Sequence, residues 1–330
     1  MRRVALSEKS INSCGDESER LSGVLDAAAF AELFGTTCDD IVFKYGDIID
    51  RFDFNYEVVT GVERDATILV VLKAIDSGIF KISGKDRKGD WEKGWQETLD
   101  AFVESGFDIA ALKPKYISKY EVSRLFSHYV KPRDRQFELN FYTVYRQFLF
   151  STYFAPYKNI FEFGCGTGYN MAIINRLFPD KRIVGLDWAE SSVNIANILG
   201  SQLNAPISGR RFDYFNPDYS LDFPPESVVI TLNSLEQIGS DYAAFLDFIL
   251  DKKPALCINA EPFLEMYEED NLLDYLARRY HKARKYLAGY YEALKLLECE
   301  GKIRIEKAQR VNIGNFFHEG YSFIVWHVIT

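Results

Sequence analysis

Cysteine is scarce and irregularly placed in this sequence. The chain has five cysteines among its 330 residues, at Cys14, Cys38, Cys165, Cys257 and Cys299. The number is odd, and the spacing contains neither a CxxC pair nor a Cys/His pattern, which argues against a disulfide framework and against a zinc site. We therefore expect no metal, and a reducing compartment, with the cytoplasm as the default.

Long hydrophobic runs and an excess of basic residues are also missing. The start of the chain is basic but leads into no long apolar segment, and the apolar run at 66–75 contains Lys73 and is too short to span a bilayer. The formal net charge is −9, which disfavours nucleic acid as a partner because binding to phosphates rests on basic residues. We predict a soluble protein that is neither exported nor membrane-spanning.

Apolar and aromatic residues are abundant. They make up 47% and 15% of the chain, enough to bury a sizeable core. At this length the chain can form one elaborated domain, or a core with an appended region. The spacing of the apolar residues changes near residue 155, from a helical pattern to an alternation of strands and helices. This change favours a core with an appended region.

Helical spacing of apolar residues prevails before residue 155. The helical patterns lie at 25–33, 66–80, 91–102 and 136–153. Asp90 is a plausible N-cap for the third of them. We predict that residues 1–154 form a helical region that acts as a cap or contributes to substrate binding.

Short apolar runs alternate with helical patterns after residue 155. Strands are predicted at 159–163, 182–187, 209–215, 227–232, 255–260, 302–311 and 321–330, and a long helical segment at about 263–299. The alternation predicts an α/β fold, with a Rossmann-like, mainly parallel sheet and helices on both faces. Ligands of such sheets bind beyond the carboxyl ends of the strands.

A glycine-rich turn follows the first of these strands. The stretch FEFGCGTG places Gly164, Gly166 and Gly168 two residues apart, and glycines in a strand-to-helix turn allow a ligand to approach the main chain. Asp187 ends the second strand, 19 residues after Gly168, a spacing that suits a carboxylate accepting hydrogen bonds from ribose hydroxyls. These residues predict a ligand that contains a nucleoside.

Two common nucleotide motifs do not fit this turn. A dinucleotide fingerprint follows G-x-G-x-x-G, whereas this chain has Tyr169 where the third fingerprint glycine would stand, which disfavours NAD. A P-loop is excluded because no Lys-Ser or Lys-Thr pair follows the glycines.

The motifs of this half resemble those of the class I S-adenosylmethionine-dependent methyltransferases. FEFGCGTG resembles the first motif of that family, VGLDWAESS the second, RRFDYFN the third, and TLNSLEQIGSD the stretch after the fourth strand. The resemblance covers residues 155–330 and implies S-adenosylmethionine as cofactor, with Asp187 at the ribose and Asp213 at the adenine amino group. The cofactor contacts that it implies are Glu162, Gly164, Cys165, Gly166, Gly168, Asp187, Trp188, Asp213 and Asn233.

Two features depart from the family pattern. Gln237 follows Glu236 where many relatives have a histidine, and the segment 216–226 is too short and proline-rich for the usual full helix. The residues before 155 match no family motif. The sequence therefore leaves the acceptor, its methylated atom and the oligomeric state undefined.

Two turns at strand ends contain candidate catalytic groups. The loop HEGYS before the last strand contains His318, a candidate general base, with Glu319 able to orient its ring or to contact substrate. The turn after the fourth strand contains Glu236, which lines the transfer site or caps the next helix, and Gln237, which is predicted to bind substrate and position the acceptor. The two readings for Glu236 also apply to Asn233. Methyl transfer is an in-line displacement, so alignment in a dry site without a base is the competing hypothesis.

A basic helical stretch, RRYHKARKY, contains His281 and Arg284. It is either a solvated helix face or a substrate-binding surface, in which Arg284 holds a carboxylate or phosphate and His281 assists catalysis.

Together these patterns predict a methyltransferase that uses S-adenosylmethionine and acts on the oxygen or nitrogen of a small or medium metabolite, a sugar or a modified amino acid. Two alternatives stay open. One is another transferase on the same cofactor fold, such as an aminopropyl transferase, which would need acidic residues for a polyamine. The other is a catalytically silent protein that retains cofactor binding.

Overall fold

The computed structural model describes residues 21–115 and 117–329. The expectations for Cys14 and for the basic start of the chain lie outside these residues. The helices are α1 (Ala27–Phe34), α2 (Cys38–Ile49), α3 (Gly61–Asp76), α4 (Lys88–Glu104), α5 (Phe137–Tyr153), α6 (Tyr169–Leu177), α7 (Glu190–Leu203), α8 (Ala243–Lys252), α9 (Leu272–Arg284) and α10 (Tyr290–Cys299). The strands are β1 (Ser22–Val24), β2 (Asn55–Val58), β3 (Ser123–Leu125), β4 (His128–Pro132), β5 (Asn159–Phe163), β6 (Arg182–Asp187), β7 (Ile207–Arg211), β8 (Ser227–Leu232), β9 (Leu256–Ala260), β10 (Ile303–Gln309), β11 (Ile313–Gly314) and β12 (Phe323–Val328).

A seven-stranded sheet forms the centre of the C-terminal half. Its strand order is β10-β12-β9-β8-β5-β6-β7. Strands β5 to β9 pair in parallel, whereas β12 runs antiparallel to both of its neighbours. The order reverses between β5 and β8, and such a switch point leaves a crevice at the strand ends.

Both faces of this sheet are covered. Ile160 of β5 packs into one hydrophobic cluster and the next residue, Phe161, into another on the opposite face. Strands buried on both faces appear in the sequence as continuous apolar runs, which is why β5, β6, β8 and β9 lie within one residue of their predicted bounds. The prediction of a Rossmann-like, mainly parallel sheet with helices on both faces is confirmed.

Two details of the helices differ from the sequence prediction. The predicted helical segment at 263–299 is two helices, since Lys285 adopts a left-handed conformation that ends α9 and Gly289 precedes α10. The N-cap predicted at Asp90 is wrong, because α4 already begins at Lys88 and Asp90 forms ion pairs with Lys81 and Arg87. Within the described ranges, no helix is long and apolar enough to cross a membrane.

The N-terminal half contains the predicted helices and also a second sheet. This sheet is antiparallel, with the order β1-β2-β4-β3-β11. Its strands have two to five residues, too few for an alternating pattern to be recognised in the sequence. Strand β11 comes from the C-terminal half and pairs with β3, so a strand pair joins the two halves. The domain boundary at 154/155 stays a prediction.

Aromatic packing also joins the halves. The rings of Phe34 in α1 and Phe148 in α5 stack with their centroids 4.4 Å apart, and Phe148 lies 6.0 Å from Phe323 in β12. All three side chains are almost completely buried. Helices α1 and α5 therefore share a core with the central sheet, in agreement with the helical spacing of aromatic residues in α5.

A buried ionic network connects α9 to the loop before β12. Asp274 and Glu319 are each 1% exposed, and the guanidinium of Arg310 donates to both carboxylates, at 2.6 Å and 2.8 Å. Arg124 of β3, fully buried, adds an ion pair to Asp274 at 3.3 Å. Two carboxylates are thus balanced by two guanidinium groups, and breaking such a network leaves an uncompensated buried charge.

We predict that Arg310→Met destabilises the fold by about 3 to 5 kcal/mol, because among the described residues Asp274 and Glu319 then keep only Arg124 as a counter-charge. The shift of the urea unfolding midpoint measures this effect. The control is Arg135→Met, which removes an exposed ion pair to Glu121 and should cost less than about 1 kcal/mol. Similar small shifts in both variants would contradict a stabilising role for the network.

Candidate active site

A cavity opens at the carboxyl ends of β5, β6 and β8. Its volume is about 350 Å³, within the range of small-molecule sites. The wall is formed by the turns after these strands, the end of α9 and the loop before β12, together with side chains of α4 and α5. The cavity therefore lies between the two halves of the chain, at the edge of the sheet where the sequence predicts a ligand.

The glycine turn forms the floor of this cavity. Gly164, Cys165 and Gly166 line it, whereas Gly168 lies behind the turn and packs against α7. Gly166 has φ +50°, and a Cβ atom at this position would lie 3.0 Å from the ring of Trp95. A side chain at this position is thus disfavoured by the backbone conformation and by the tight contact with Trp95. Burial raises the pKa of Cys165 well above its ordinary value, so its thiol is neutral.

Asp187 at the end of β6 stabilises this turn by hydrogen bonding. It is 6% exposed, and its carboxylate accepts hydrogen bonds from the backbone N–H of Gly166 and of Ala189, both at 2.9 Å. Burial raises the pKa of Asp187 to about 6, although these amide contacts oppose the increase. A carboxylate has about four acceptor positions, so Asp187 can accept further hydrogen bonds from a ligand in the cavity, which both Asp187 and Trp188 line.

Glu162 lies beneath the turn and does not reach the cavity. Its Oε1 accepts a hydrogen bond from Nδ2 of Asn170 at 2.7 Å, and Asn170 itself lines the cavity. Burial raises the pKa of Glu162 to about 8. In this position Glu162 orients the residues that face the ligand.

The predicted adenine contact, Asp213, lies outside the cavity wall. Its carboxylate is paired with Lys88 at the start of α4 and accepts from the backbone N–H of Phe215 at 3.1 Å. The rings of Trp188 and Phe215 are nearly parallel, with centroids 6.0 Å apart. A contact from Asp213 to a ligand stays a prediction, and it requires Lys88 to move.

Helix α4 covers the glycine turn. Trp91 and Trp95 stack with their centroids 5.2 Å apart, and both line the cavity. The carboxylate of Glu92 accepts from the backbone N–H of Glu190 at 2.7 Å and of Ser191 at 3.0 Å, which caps α7. The sequence predicted α4 as a helix but did not predict these tryptophans as site residues, because nothing local indicates which surface a helix will cover.

A residue that the sequence patterns did not identify supports the turn after β8. Glu261 follows β9 directly and is fully buried. Its carboxylate accepts hydrogen bonds from three consecutive backbone N–H groups, those of Ser234 (3.0 Å), Leu235 (3.1 Å) and Glu236 (3.3 Å). Burial raises the pKa of Glu261 to about 7. The feature of the sequence that could have identified Glu261 is the position of an acidic residue directly after an apolar strand.

This turn brings three predicted residues to the cavity wall, namely Asn233, Glu236 and Gln237. Asn233 adopts a left-handed conformation, and its Nδ2 donates to the backbone carbonyl of Gly320 at 2.6 Å. Nε2 of Gln237 donates to Oε1 of Glu236 at 2.7 Å. The turn and the loop before β12 are therefore held against each other.

The structure brings the two candidate histidines together. His318 lines the cavity and His281 lies behind it, with Nδ1 of His318 and Nε2 of His281 separated by 3.1 Å. Burial lowers the pKa of His281 to about 3, and burial, His281 and two nearby arginines hold the pKa of His318 well below its ordinary value. Both rings are therefore neutral at neutral pH, and the strongly lowered pKa makes the ring of His318 a weak proton acceptor, which weakens the case for His318 as a general base.

Glu319 does not lie where its predicted roles require. Its carboxylate accepts from Arg310, on the far side from the cavity, and His281 rather than Glu319 orients the ring of His318. The reason is that adjacent residues in an extended loop point to opposite sides. Arg284, in contrast, lines the cavity, with its guanidinium 4.7 Å from the ring centroid of Tyr286. It forms no ion pair with any residue in 21–115 or 117–329, and its Nε is buried without a hydrogen-bond partner there.

No family model and no curated protein matches the chain by sequence. Solved structures are similar in fold. The N,N-8-amino-8-demethyl-D-riboflavin dimethyltransferase of Streptomyces davawensis matches over 58% of this chain and 56% of its own length, with 16% identity and a TM-score of 0.43. The geranyl diphosphate C-methyltransferase of Streptomyces coelicolor A3(2), solved with Mg²⁺, geranyl diphosphate and S-adenosyl-L-homocysteine, matches over 71% and 98%, with 9% identity and a TM-score of 0.42.

The [4+2]-cyclase SpnF also matches, over 52% of this chain and 74% of its own, with 13% identity and a TM-score of 0.38.

Fold and site together define a Rossmann-like α/β protein with a ligand cavity at the carboxyl ends of its parallel strands. Because one fold hosts several reactions, the fold alone does not define the function, which depends on the residues of the site.

We predict that Asp187→Asn weakens binding of S-adenosylhomocysteine by about 1.5 to 3 kcal/mol, because the amide loses a charged hydrogen-bond acceptor at the floor of the site. Isothermal titration calorimetry measures the change. The matched control is Asp180→Asn, on the exposed surface, which should leave the affinity unchanged. Unchanged affinity in a folded Asp187→Asn variant would rule out the ribose contact.

The raised pKa of Asp187 predicts a pH dependence of the same affinity. The ionised form accepts hydrogen bonds and the protonated form accepts fewer, so affinity should be constant above pH 7 and fall as the pH drops through about 6. Between pH 7 and pH 5 the expected loss is about tenfold. The step should be absent in Asp187→Asn; if it persists there, another group causes it.

Proposed function

We propose that this chain is a methyltransferase that uses S-adenosylmethionine and methylates the oxygen or nitrogen of a small or medium metabolite, a sugar or a modified amino acid. When bound, the cofactor supplies a methyl group activated on a positively charged sulfur. The observation that carries the proposal is the hydrogen bond from the Gly166 amide to Asp187 on the floor of the cavity. It joins a bare stretch of backbone to a carboxylate in the arrangement that a nucleoside requires.

The residues present fit this cofactor. A Cβ atom at Gly166 would occupy space at the floor of the cavity, and Asp187 retains acceptor positions for ribose hydroxyls. Glu162 keeps one buried carboxylate oxygen, Oε2, without a partner in the described residues. Buried polar atoms are normally satisfied, but Glu162 does not reach the cavity, so this oxygen fits a water beneath the turn and the role of Glu162 is to orient Asn170.

The geometry also supports an acceptor chamber next to the cofactor site. The side chain of Trp95 lies over Gly166 of the glycine turn, and Trp91 stacks on Trp95, so an apolar surface covers this end of the cavity. Beyond the turn, Tyr280, Tyr286 and Phe317 form an aromatic wall. Exclusion of water and a fixed orientation of the acceptor are the main contributions that such a site makes to methyl transfer.

Incubation of the protein with S-adenosylmethionine labelled in its methyl group and a fractionated small-molecule extract tests the proposal. We expect one fraction to contain a product heavier by one methylene, formed in equal amount with S-adenosylhomocysteine. The aminopropyl alternative would transfer a different part of the cofactor and leave no label in the product. A silent binding protein would bind both cofactor forms without turnover, and no binding of either form would refute the proposal.

Arg284 is proposed to hold an anionic group of the acceptor, a carboxylate or a phosphate, because it is a cation of the cavity wall without an ionic partner in the described residues. Once the incubation has identified the acceptor, Arg284→Gln should raise the KM for that acceptor by about tenfold or more and change kcat little. The matched control is Arg279→Gln on the same helix, which pairs with Asp76 outside the cavity. An equal KM in both variants would contradict this role.

A further inference from the structure

The carboxyl group of Glu236 lies in the cavity wall with incomplete hydrogen bonding and without a counter-charge in contact among the described residues. The residue is 9% exposed. Its Oε1 accepts the hydrogen bond from Gln237, but its Oε2 is buried and has no partner in the part of the chain that the structure describes. Among the described residues, an ionised Glu236 has a single donor, on Oε1, and no counter-charge in contact, and an ionised carboxylate with so few partners is costly in a buried site.

The surroundings of Glu236 contain charges of both signs. Glu261, from the end of β9, contacts the backbone N–H of Glu236 and adds a negative charge. Arg284 of α9 and Arg87, just before α4, add positive charges at a distance, and neutral His318 lies across the cavity. Tyr280 and Tyr286 also face this side. Burial and then Glu261 raise the pKa of Glu236 to about 8, against the opposing effects of Gln237 and the two arginines.

A buried carboxyl group can be balanced in two ways. It can bind a proton, or a cation can enter the cavity beside it. The methyl donor of the proposed function is a cationic sulfonium, and its product, S-adenosylhomocysteine, is a thioether without that charge. The two forms of the cofactor otherwise carry the same charged groups. They therefore differ in the positive charge on sulfur, which is the charge that can balance an ionised Glu236.

We propose that Glu236 exchanges its proton for the positive charge of the methyl donor. The group is protonated in the free protein, releases its proton when a sulfonium enters the cavity, and takes a proton from the acceptor when methyl transfer removes that charge. The inference rests on the proposed function and adds to it the identity of the general base.

The step balances in atoms and charge. The O–H or N–H bond of the acceptor breaks and its proton passes to Oε2 of Glu236. The freed electron pair of the acceptor forms the bond to the methyl carbon, and the electron pair of the broken C–S bond stays on sulfur. A carboxylate beside a cation becomes a carboxylic acid beside a neutral thioether, so the pair formed by Glu236 and the sulfur is neutral before and after the step, which avoids an uncompensated buried charge on either group.

The other polar groups of the cavity wall are less suited to this role. Asp187 is held by two backbone amides, and Glu138 accepts hydrogen bonds from the backbone N–H of Ser118 and the hydroxyl of Tyr321. His318 has one ring nitrogen engaged with His281, and its strongly lowered pKa makes it a weak proton acceptor. In this arrangement His318 contributes a neutral hydrogen-bonding ring.

Calorimetric titration of the purified protein at pH 7 in buffers of different ionisation enthalpy tests the proposal. The dependence of the binding enthalpy on the buffer gives the number of protons released. We expect S-adenosylmethionine to release close to one proton more than S-adenosylhomocysteine, because Glu236, whose pKa is raised to about 8, is mostly protonated at this pH. Contributions from Asp187 and from the shared parts of the ligands cancel in this difference.

Two variants locate the proton. Glu236→Gln should bind both ligands and abolish the difference in proton release. Glu138→Gln, which changes another buried carboxyl group of the same cavity, should retain it. A difference that survives in Glu236→Gln, or that is lost only in Glu138→Gln, would overturn the assignment. Binding of S-adenosylhomocysteine also reports whether each variant is folded.

A second measurement needs no variant. If Glu236 loses a proton to the sulfonium, the ratio of the S-adenosylmethionine affinity to the S-adenosylhomocysteine affinity should rise by about tenfold per pH unit below pH 8 and level off above it. A ratio independent of pH would overturn the inference while leaving the proposed function intact. Failure of both ligands to bind would overturn both.

Discussion

The carboxylate of Glu261 is the constraint on which the candidate site depends. It accepts from three consecutive amides of the turn after β8, and this turn positions Asn233, Glu236 and Gln237 at the cavity. The three backbone N–H groups of this helix-like turn need hydrogen-bond acceptors once they are buried. The carboxylate of Glu261 accepts all three hydrogen bonds. The same carboxylate adds negative charge beside Glu236. One side chain thus sets both the shape of the transfer site and its electrostatics.

Buried acidic groups are concentrated around the cavity. Burial raises the pKa of Glu162 and Glu236 to about 8, of Glu261 to about 7 and of Asp187 to about 6, whereas the histidines His281 and His318 remain neutral. Such a set of groups favours a cationic ligand, because a positive charge lets carboxylates ionise that would otherwise hold protons. This electrostatic preference agrees with the sulfonium cofactor proposed here.

Much of the fold could be predicted because the signals are local. Strands such as β5 and β8 are buried on both faces and appear as apolar runs between turns. The antiparallel sheet of the N-terminal half was missed because its strands are very short and because β11 comes from the other half of the chain. The division of the long helical segment was missed because a left-handed Lys285 ends α9, and lysine is not a residue that signals a helix end in this way.

The sequence by itself determined the glycine turn and Asp187, since both belong to one strand-helix-strand unit in which spacing alone sets their separation. The tertiary structure decided which distant side chains join them. His318 meets His281, which is 37 residues away, and not its neighbour Glu319, because α9 packs behind one face of the loop and Arg310 draws Glu319 to the other. Trp95 reaches Gly166 for the same reason: contacts between separate elements follow from packing of the whole core, which no local pattern records.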